Sequence, residues 1–260
     1  MRLDSLTTFE RREMTEMTVN ENFAKWATSY AGCDGGDIGS PERPAIWFCG
    51  IEWGGNRDAG HLAKEITHDV SQPPPGYAHW EHNLAYRFNQ QASKLLAAIA
   101  GHPVANTRHF LQQAQPFCQN SGYFKLNLFP VAFKDTNHAR WQADYAAVTG
   151  LASKKDYLDW CRQHRLAALR TRAAEHRPRL IVCVGKTFVQ DFKRAFLDNH
   201  EVFMQRKPIA GLELLYKRNA EGALVVVLPF MINRYGLTRN DSIQQFGDRI
   251  AQLVEQHGHQ

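Results

Sequence analysis

The sequence predicts a three-layer α/β protein, in which helices flank a central, mostly parallel β-sheet of about four strands. Two observations support this fold class. Short apolar runs recur along the chain, at residues 45–49, 123–128, 180–184 and 223–228, and segments with helical periodicity lie between them. Because strands that alternate with helices form parallel sheets covered on both faces, these runs are expected to lie side by side in the core.

Length and composition indicate one domain. The chain has 260 residues, 43% of them hydrophobic, and contains no repeat, linker or low-complexity tract, so we treat residues 1–260 as a single α/β domain. No apolar run approaches the length of a membrane span. The charged N-terminus lacks the apolar stretch of a signal peptide, which favours a cytoplasmic protein. We expect a monomer with no membrane association.

The elements of the first half follow from local patterns. Residues 1–17 are polar and without periodicity, which predicts a loosely ordered arm. Residues 20–30 have a helical apolar stripe, and a buried strand at 45–49 follows Pro44. A short helix is predicted at 58–67. The prolines that follow exclude a longer one, so residues 54–83 are expected to form a long excursion over the mouth of the site.

The elements of the second half are predicted in the same way. An apolar stripe that includes Leu95 and Leu96 predicts a helix at 84–100, which Gly101 ends. Residues 131–153 resemble a loop, and 154–176 a single helix. Further strands are expected at 123–128, 180–184, 212–217 and 223–228. Helices are expected at 187–196 and in a last segment whose apolar stripe runs from Ile243 to Val254.

The charges point weakly to a polyanionic partner. The formal net charge is +5, and residues 160–218 contain 13 Lys and Arg against 5 Asp and Glu. A basic face of this kind suits contacts with a phosphate backbone, although a solvated helix face explains it equally well. The five cysteines form no CxxC pair, which favours free thiols over disulfides or a metal cluster. We therefore expect neither a metal nor another cofactor.

The segment after the first strand is the expected centre of chemistry. It reads Gly50-Ile51-Glu52-Trp53-Gly54-Gly55, and Glu52 is its only carboxylate. Ligands of open α/β sheets bind at the carboxyl ends of strands, where glycines allow the backbone a close approach. A lone loop glutamate is more often solvated than catalytic, so partners are needed. Asn127, Gly185 and the 229–236 loop follow other strands and should gather at the same edge.

Two further motifs suggest a nucleotide site and a metal site, but neither is complete. Gly185-Lys186-Thr187 is similar to the end of a phosphate-binding loop, but the required upstream glycine is replaced by Leu180, so nucleotide hydrolysis is excluded. Lys186 and Thr187 can still hold one phosphate at a helix start. The histidines of the excursion have no cysteine or acidic partner at a recognised metal spacing.

Aromatic side chains are dense around the same segment. Trp53, Tyr77 and Trp80 provide flat surfaces that a merely solvated loop does not need. Nucleobases stack on such side chains in proteins that bind nucleic acids. Together with the basic face, these rings favour a nucleic acid as the partner.

The order of the strand-end motifs resembles the uracil-DNA glycosylase superfamily over residues 20–255. That family places an acidic or amide residue after its first strand, a base-reading asparagine after a middle strand, and a loop with a histidine after its last. By this resemblance, Glu52 would activate water, and Asn127 would read the base edge. Trp53 stands where proline is usual, and Phe230 stands where the histidine is common. The four cysteines of the iron–sulfur members have no counterpart.

The resemblance implies a DNA glycosylase that flips a nucleotide and leaves an abasic site. The residues expected to surround the base are Gly50, Ile51, Trp53, Tyr77, Trp80 and Phe230. The residues expected to contact DNA are Lys186, Thr187, Asn233, Arg234, Tyr235 and Leu237, the last three by pressing into the duplex.

The excursion and Phe230 favour a bulky modified pyrimidine over uracil, such as the glucosylated hydroxymethylcytosine of phage DNA. Polar groups for an attached sugar would come from His61, His79, Glu81 and His82. One alternative is a non-catalytic DNA-binding or regulatory protein on the same fold, and another is a small-molecule α/β enzyme.

Overall fold

A computed structural model describes residues 19–55, 57–133, 137–197 and 201–256. The predicted arm at residues 1–17 lies outside these ranges. The strands are β1 (Gly35–Gly36), β2 (Ile46–Gly50), β3 (Tyr123–Asn127), β4 (Leu180–Val184), β5 (Gln205–Ile209), β6 (Leu212–Arg218) and β7 (Leu224–Leu228). The helices are α1 (Glu21–Thr28), α2 (Ala59–Glu65), α3 (Arg87–Ile99), α4 (Thr107–Ala114), α5 (Ala143–Thr149), α6 (Lys154–Gln163), α7 (Arg165–His176), α8 (Val189–Phe196) and α9 (Asn240–Glu255).

One mixed sheet forms the centre of the described fold, in the order β1-β3-β2-β4-β7-β6-β5. The inner strands β3, β2, β4 and β7 pair in parallel, whereas β1 pairs antiparallel with β3, β6 with β7, and β5 with β6. The α/β class is confirmed, but the expected count of about four mostly parallel strands is wrong for a sheet of seven. The missed strands lack apolar alternation, because β1 is two glycines and β5 is an exposed polar edge containing Pro208.

Helices cover both faces of this sheet. Along β2, Ile46 and Phe48 pack against α3, α4 and α9, whereas Trp47 and Cys49 pack on the opposite side. That opposite side contains α1, α2 and α5 to α8. Side chains alternate between the two faces of a strand, so β2, β4 and β7, which are buried on both faces, contain no charged or amide side chain, whereas the buried β3 contains Lys125 and Asn127. We call these two layers the α3 side and the α6 side.

Two local predictions fail on the α6 side. The segment at 131–153 was expected to be a loop but contains α5, and the single helix expected at 154–176 is divided at His164 into α6 and α7. Helix α6 begins at an N-cap, where the Ser153 hydroxyl accepts a hydrogen bond from the Asp156 amide at 3.1 Å. The boundary at Ser153 therefore places Lys154 in the first turn of a helix.

The long excursion is divided between the two sides of the sheet. Ala59 and Leu62 of α2 are buried on the α6 side, whereas Tyr77 and Trp80 pack on the α3 side. The two parts of the excursion therefore pack on opposite sides of the sheet. Between the two parts, Gly76 has φ +84°, and a Cβ there would lie 2.0 Å from the Phe117 carbonyl oxygen. Only glycine permits this approach.

Candidate active site at the strand ends

The carboxyl ends of the inner strands meet at one edge of the sheet. Gly50 is paired in register with Asn127, and Leu128 N donates to Gly50 O at 3.1 Å. On the other flank of β2, Gly185 has φ +124°, and a Cβ there would lie 2.6 Å from Ile51 Cδ1. The Gly50–Gly55 turn is thus clamped between the ends of β3 and β4, which leaves Glu52 at the centre of this edge.

Glu52 lines a cleft of about 250 Å³ on the α6 side. Its other lining residues are Phe129, His138, Lys154, Leu158, Arg162 and Phe188. The Lys154 ammonium nitrogen lies 3.6 Å from Glu52 Oε1, and these side chains are 1% and 8% exposed. The same nitrogen lies 3.9 Å from the centroid of the Phe133 ring. The cleft therefore contains a nearly buried charge pair together with the rings of Phe129 and Phe188.

Lys154 was not recognised in the sequence as a site residue. It lies 102 positions after Glu52 and belongs to no local motif, and only the packing of α6 against the strand ends brings the two together. Arg162, which also lines the cleft, is held by Asp191, with Nε donating to Oδ1 at 2.9 Å.

Asn127 lies on a different part of the edge. Its side chain is buried, and Nδ2 donates to Gly32 O at 3.0 Å. A Cβ at Gly50 would lie 2.3 Å from Asn127 Oδ1, so the glycine makes room for this amide. Asn127 is not among the residues that line the Glu52 cleft. The structure therefore places both predicted catalytic residues at one edge but does not bring them into one cleft.

A buried arginine supports the Asn127 position, and no sequence motif indicated it. Arg165 is fully buried, and its guanidinium donates to Leu128 O at 2.8 Å, Ala31 O at 2.7 Å and Asn127 O at 3.1 Å. A planar guanidinium with several fixed donors suits such a cluster of carbonyls. Arg165 thus binds the end of β3 to the loop after α1, which carries Gly32.

A closed polar cluster lies on the α3 side, below the strand ends. Lys125 Nζ donates to Tyr77 Oη at 2.9 Å and to Asn89 Oδ1 at 3.0 Å, and it lies 3.2 Å from Asp34 Oδ2. Asn89 Nδ2 also donates to Tyr77 Oη, at 3.0 Å. Burial, and after it the Asp34 carboxylate, raises the pKa of the Tyr77 phenol. This cluster fixes Tyr77, a predicted base-binding residue, against β3.

The other predicted base-binding aromatics are distributed around the edge. Trp53 Nε1 donates to Asp34 Oδ2 at 3.0 Å, and the Arg57 guanidinium lies 5.3 Å from the Trp53 ring. Trp80 is half-buried on the α3 side. Phe230 packs against Phe88 there, with ring centroids 6.1 Å apart. Tyr77, Trp80 and Phe230 therefore share the α3 side, whereas the Glu52 cleft opens on the α6 side.

The residues expected to contact DNA differ in their exposure. Lys186 and Thr187 are exposed, although the Lys186 ammonium is paired with the Glu213 carboxylate. Asn233 and Arg234 are exposed, and Tyr235 is 82% exposed.

The prediction that Leu237 presses into a duplex is wrong, because this side chain is fully buried in the core. Its amide donates to Phe230 O at 2.8 Å, which closes the turn and directs the side chain inward.

The histidines of the excursion follow the division of that segment. His61 on α2 lies 3.4 Å from Glu65, whereas the rings of His79 and His82 lie 6.3 Å apart beside Tyr77. Across the described ranges, no group of three or more His, Cys, Asp or Glu side chains could hold a metal ion. In the same ranges, no helix has both the length and the apolar character needed to cross a bilayer.

No protein-family model matches this chain, and no curated protein is significantly similar to it. The geometry and charge of the strand-end site are therefore the basis for a functional proposal.

Proposed function

We propose that the protein is a DNA glycosylase that flips a nucleotide and hydrolyses its N-glycosidic bond, leaving an abasic site. One observation carries the proposal: Glu52, at the end of the central strand β2, lines a cleft of about 250 Å³ with its carboxylate 8% exposed. A carboxylate that is shielded from bulk water and available to a cleft can stabilise positive charge and orient a water molecule. The resemblance to the glycosylase superfamily assigns the same position that role.

The charge pair in the cleft fits the charges that develop when an N-glycosidic bond breaks. The sugar becomes positive, which an ionised Glu52 stabilises, and the departing base becomes negative. The Lys154 ammonium, 3.6 Å from Glu52 and lining the same cleft, is a cation for that second charge. It would serve in place of the histidine that Phe230 replaces. Electrostatic groups fixed before the reaction need little rearrangement, which makes them effective in catalysis.

The surface beside the strand ends supports DNA as the partner. The turn after β7 exposes Asn233, Arg234 and Tyr235 at the edge where Glu52 lies. The Arg234 guanidinium lies 5.7 Å from the centroid of the Tyr235 ring. Arginine contacts phosphates, and an exposed aromatic ring can stack on a nucleobase. In this proposal, Lys186 and Thr187 at the end of β4 contact the backbone on the other flank.

The finer part of the proposal is the base, a bulky modified pyrimidine such as glucosylated hydroxymethylcytosine in phage DNA. Support comes from the exposed polar groups His79, Glu81 and His82 beside the half-buried Tyr77 ring. A sugar attached to a base needs hydrogen-bonding groups of this kind together with stacking surface. These groups lie on the α3 side, whereas His61 lies on α2 on the α6 side, where the Glu52 cleft opens.

The experiment is incubation of the protein with labelled oligonucleotides, duplex and single-stranded, that contain cytosine, uracil, hydroxymethylcytosine or its glucosylated form. Strand cleavage at abasic sites and mass spectrometry of the released base are the two readouts. Glu221→Gln is a matched control, because this exposed carboxylate lies in the turn between β6 and β7, at the opposite end of the sheet. Release of glucosylated base by the parent and by Glu221→Gln, but not by Glu52→Gln, is the expected result.

A non-catalytic DNA-binding protein is the second candidate, and one observation favours it. Both predicted catalytic side chains have internal partners, Glu52 with Lys154 and Asn127 with the Gly32 carbonyl. DNA binding that weakens with salt, together with no abasic sites in any substrate, would establish this alternative. The absence of salt-dependent binding would instead favour a small-molecule enzyme.

A further inference from the structure

Three exposed hydrophobic side chains belong to two elements that meet on the α3 side of the sheet. Tyr86 is 71% exposed, Ile232 36% and Tyr235 82%. Tyr86 is the N-cap residue of α3, and the other two belong to the turn after β7. The two elements are joined below the surface, because the rings of Phe88 and Phe230 are in contact at 6.1 Å. We call the side chains of Tyr86, Ile232 and Tyr235 the tyrosine surface.

Positive charge accompanies the tyrosine surface. Arg87 follows Tyr86, Arg234 precedes Tyr235, and Arg239 lies just before α9, and all three are exposed. The guanidinium of Arg234 lies over the Tyr235 ring at 5.7 Å. Asp241 in the first turn of α9 is the acidic residue nearest to them in that segment. Exposed rings alternating with guanidinium groups suit a ligand that has both flat apolar faces and phosphates.

We propose that the tyrosine surface binds unpaired nucleotides, so that the protein engages single-stranded DNA in preference to duplex. Bases in a duplex are already stacked on one another and offer no free face, whereas each base of a single strand can stack on a tyrosine. Two exposed tyrosines on separate elements can hold two bases. Of the three side chains expected to press into a duplex, Leu237 is buried, whereas the Tyr235 ring is exposed and can stack on an unpaired base.

This inference rests on the proposed function for the identity of the polymer, but it concerns the strand form and a different set of residues. The test is fluorescence anisotropy with a labelled oligothymidylate and with a duplex of equal length. Tyr86→Ala and Tyr235→Ala are each expected to weaken single-strand binding by about fivefold to a hundredfold, which corresponds to the stacking energy of one base. Tyr86→Phe and Tyr235→Phe should bind as the parent does, because the ring and not the hydroxyl group stacks.

Phe203→Ala is the matched control, because Phe203 is 72% exposed but precedes the edge strand β5 on the far side of the sheet. It should leave both affinities unchanged. Equal or tighter binding of the duplex, or a loss confined to the duplex in Tyr235→Ala, would overturn the proposal in favour of a wedge. Unchanged affinity in both alanine variants would also overturn it.

The base-release assay separates this inference from the proposed function. Tyrosine-dependent binding of single strands without release of any base would support the tyrosine surface and contradict the glycosylase activity. Release of base with no effect of either tyrosine variant on binding would support the glycosylase activity and contradict the tyrosine surface.

Discussion

The Lys154 ammonium nitrogen lies 3.6 Å from a carboxylate oxygen of Glu52, where the two side chains are only 1% and 8% exposed. Removing two charges from water is unfavourable, and their mutual attraction offsets this only while both are present. The same pair lines the cleft to which we assign the chemistry. Substitutions at either residue will therefore change both the stability of the fold and the activity, and the two effects need separate measurements.

Glu52→Gln tests the chemistry. An amide has no net charge with which to stabilise a positive sugar, so base release should fall by at least about a hundredfold while the affinity for DNA is retained. The measurement is single-turnover base release, with binding followed by anisotropy. Activity within a few-fold of the parent would remove Glu52 from the mechanism.

A double-mutant cycle tests the ion pair. Glu52→Gln and Lys154→Met each leave one buried charge without this partner, and each should lower the free energy of unfolding by about 3–5 kcal/mol. The double variant should be clearly more stable than the sum of the two losses implies, because neither charge remains. Urea denaturation gives the free energy of unfolding of the parent, the two single variants and the double variant. Strict additivity would show that the pair is not coupled.

Lys154 was missed because no local sequence pattern marks it. The inner strands could be predicted because residues such as Val182 and Val226 are apolar in runs that are buried on both faces. The edge that holds Glu52 and Asn127 followed from the alternation of strands and helices along the chain. A partner for a buried charge, by contrast, is chosen by packing between distant segments. Lys154 and Arg165 look like ordinary residues of a basic, solvated helix, yet both are buried.

Turns were the second source of error, and Leu237 shows why. By the resemblance, Leu237 was expected to press into a duplex from the 230–237 loop. A single hydrogen bond from its amide to Phe230 O reverses the chain and sends the side chain into the core. Such a bond depends on the backbone path of the whole 230–237 turn, which residue type alone does not specify.

Lys125→Met tests the polar cluster on the α3 side. The Lys125 ammonium contacts Tyr77, Asn89 and Asp34, so its removal leaves the Asp34 carboxylate without its cation. We expect a loss of about 3–5 kcal/mol in the free energy of unfolding, measured with urea. Lys217→Met is the control, because Lys217 is an exposed residue of β6 and should change the stability by no more than about 0.5 kcal/mol. Equal losses in the two variants would show that the polar cluster does not contribute to the free energy of unfolding.

The buried thiols predict how stability depends on pH. Burial raises the pKa of Cys33 from the usual 9.0 to about 11, and that of Cys161 to about 12, with Arg165 opposing the shift in each case. The unfolded chain therefore releases these protons at a lower pH than the folded protein does. The stabilising contribution is complete below pH 9.0 and should be lost as the pH rises to about 11 and 12.

Chemical denaturation between about pH 8 and pH 11 measures this loss, with Cys33→Ala expected to reduce its slope. Stability that rises over this range would contradict the assignment. A thiol reagent at about pH 8 should label the five buried cysteines only after unfolding.

Gly50→Ala tests the packing between β2 and the Asn127 amide. A methyl group at residue 50 would lie 2.3 Å from Asn127 Oδ1, so the amide must move and weaken its hydrogen bond to the Gly32 carbonyl. We expect destabilisation of about 1–3 kcal/mol, together with slower base release. Gly54→Ala is the matched control, because nothing lies within 4 Å of a Cβ at that position. If Gly50→Ala has the same rate of base release and the same free energy of unfolding as Gly54→Ala, the position of the Asn127 amide does not matter for either property. The expected role of Asn127 in reading the base edge would then fail.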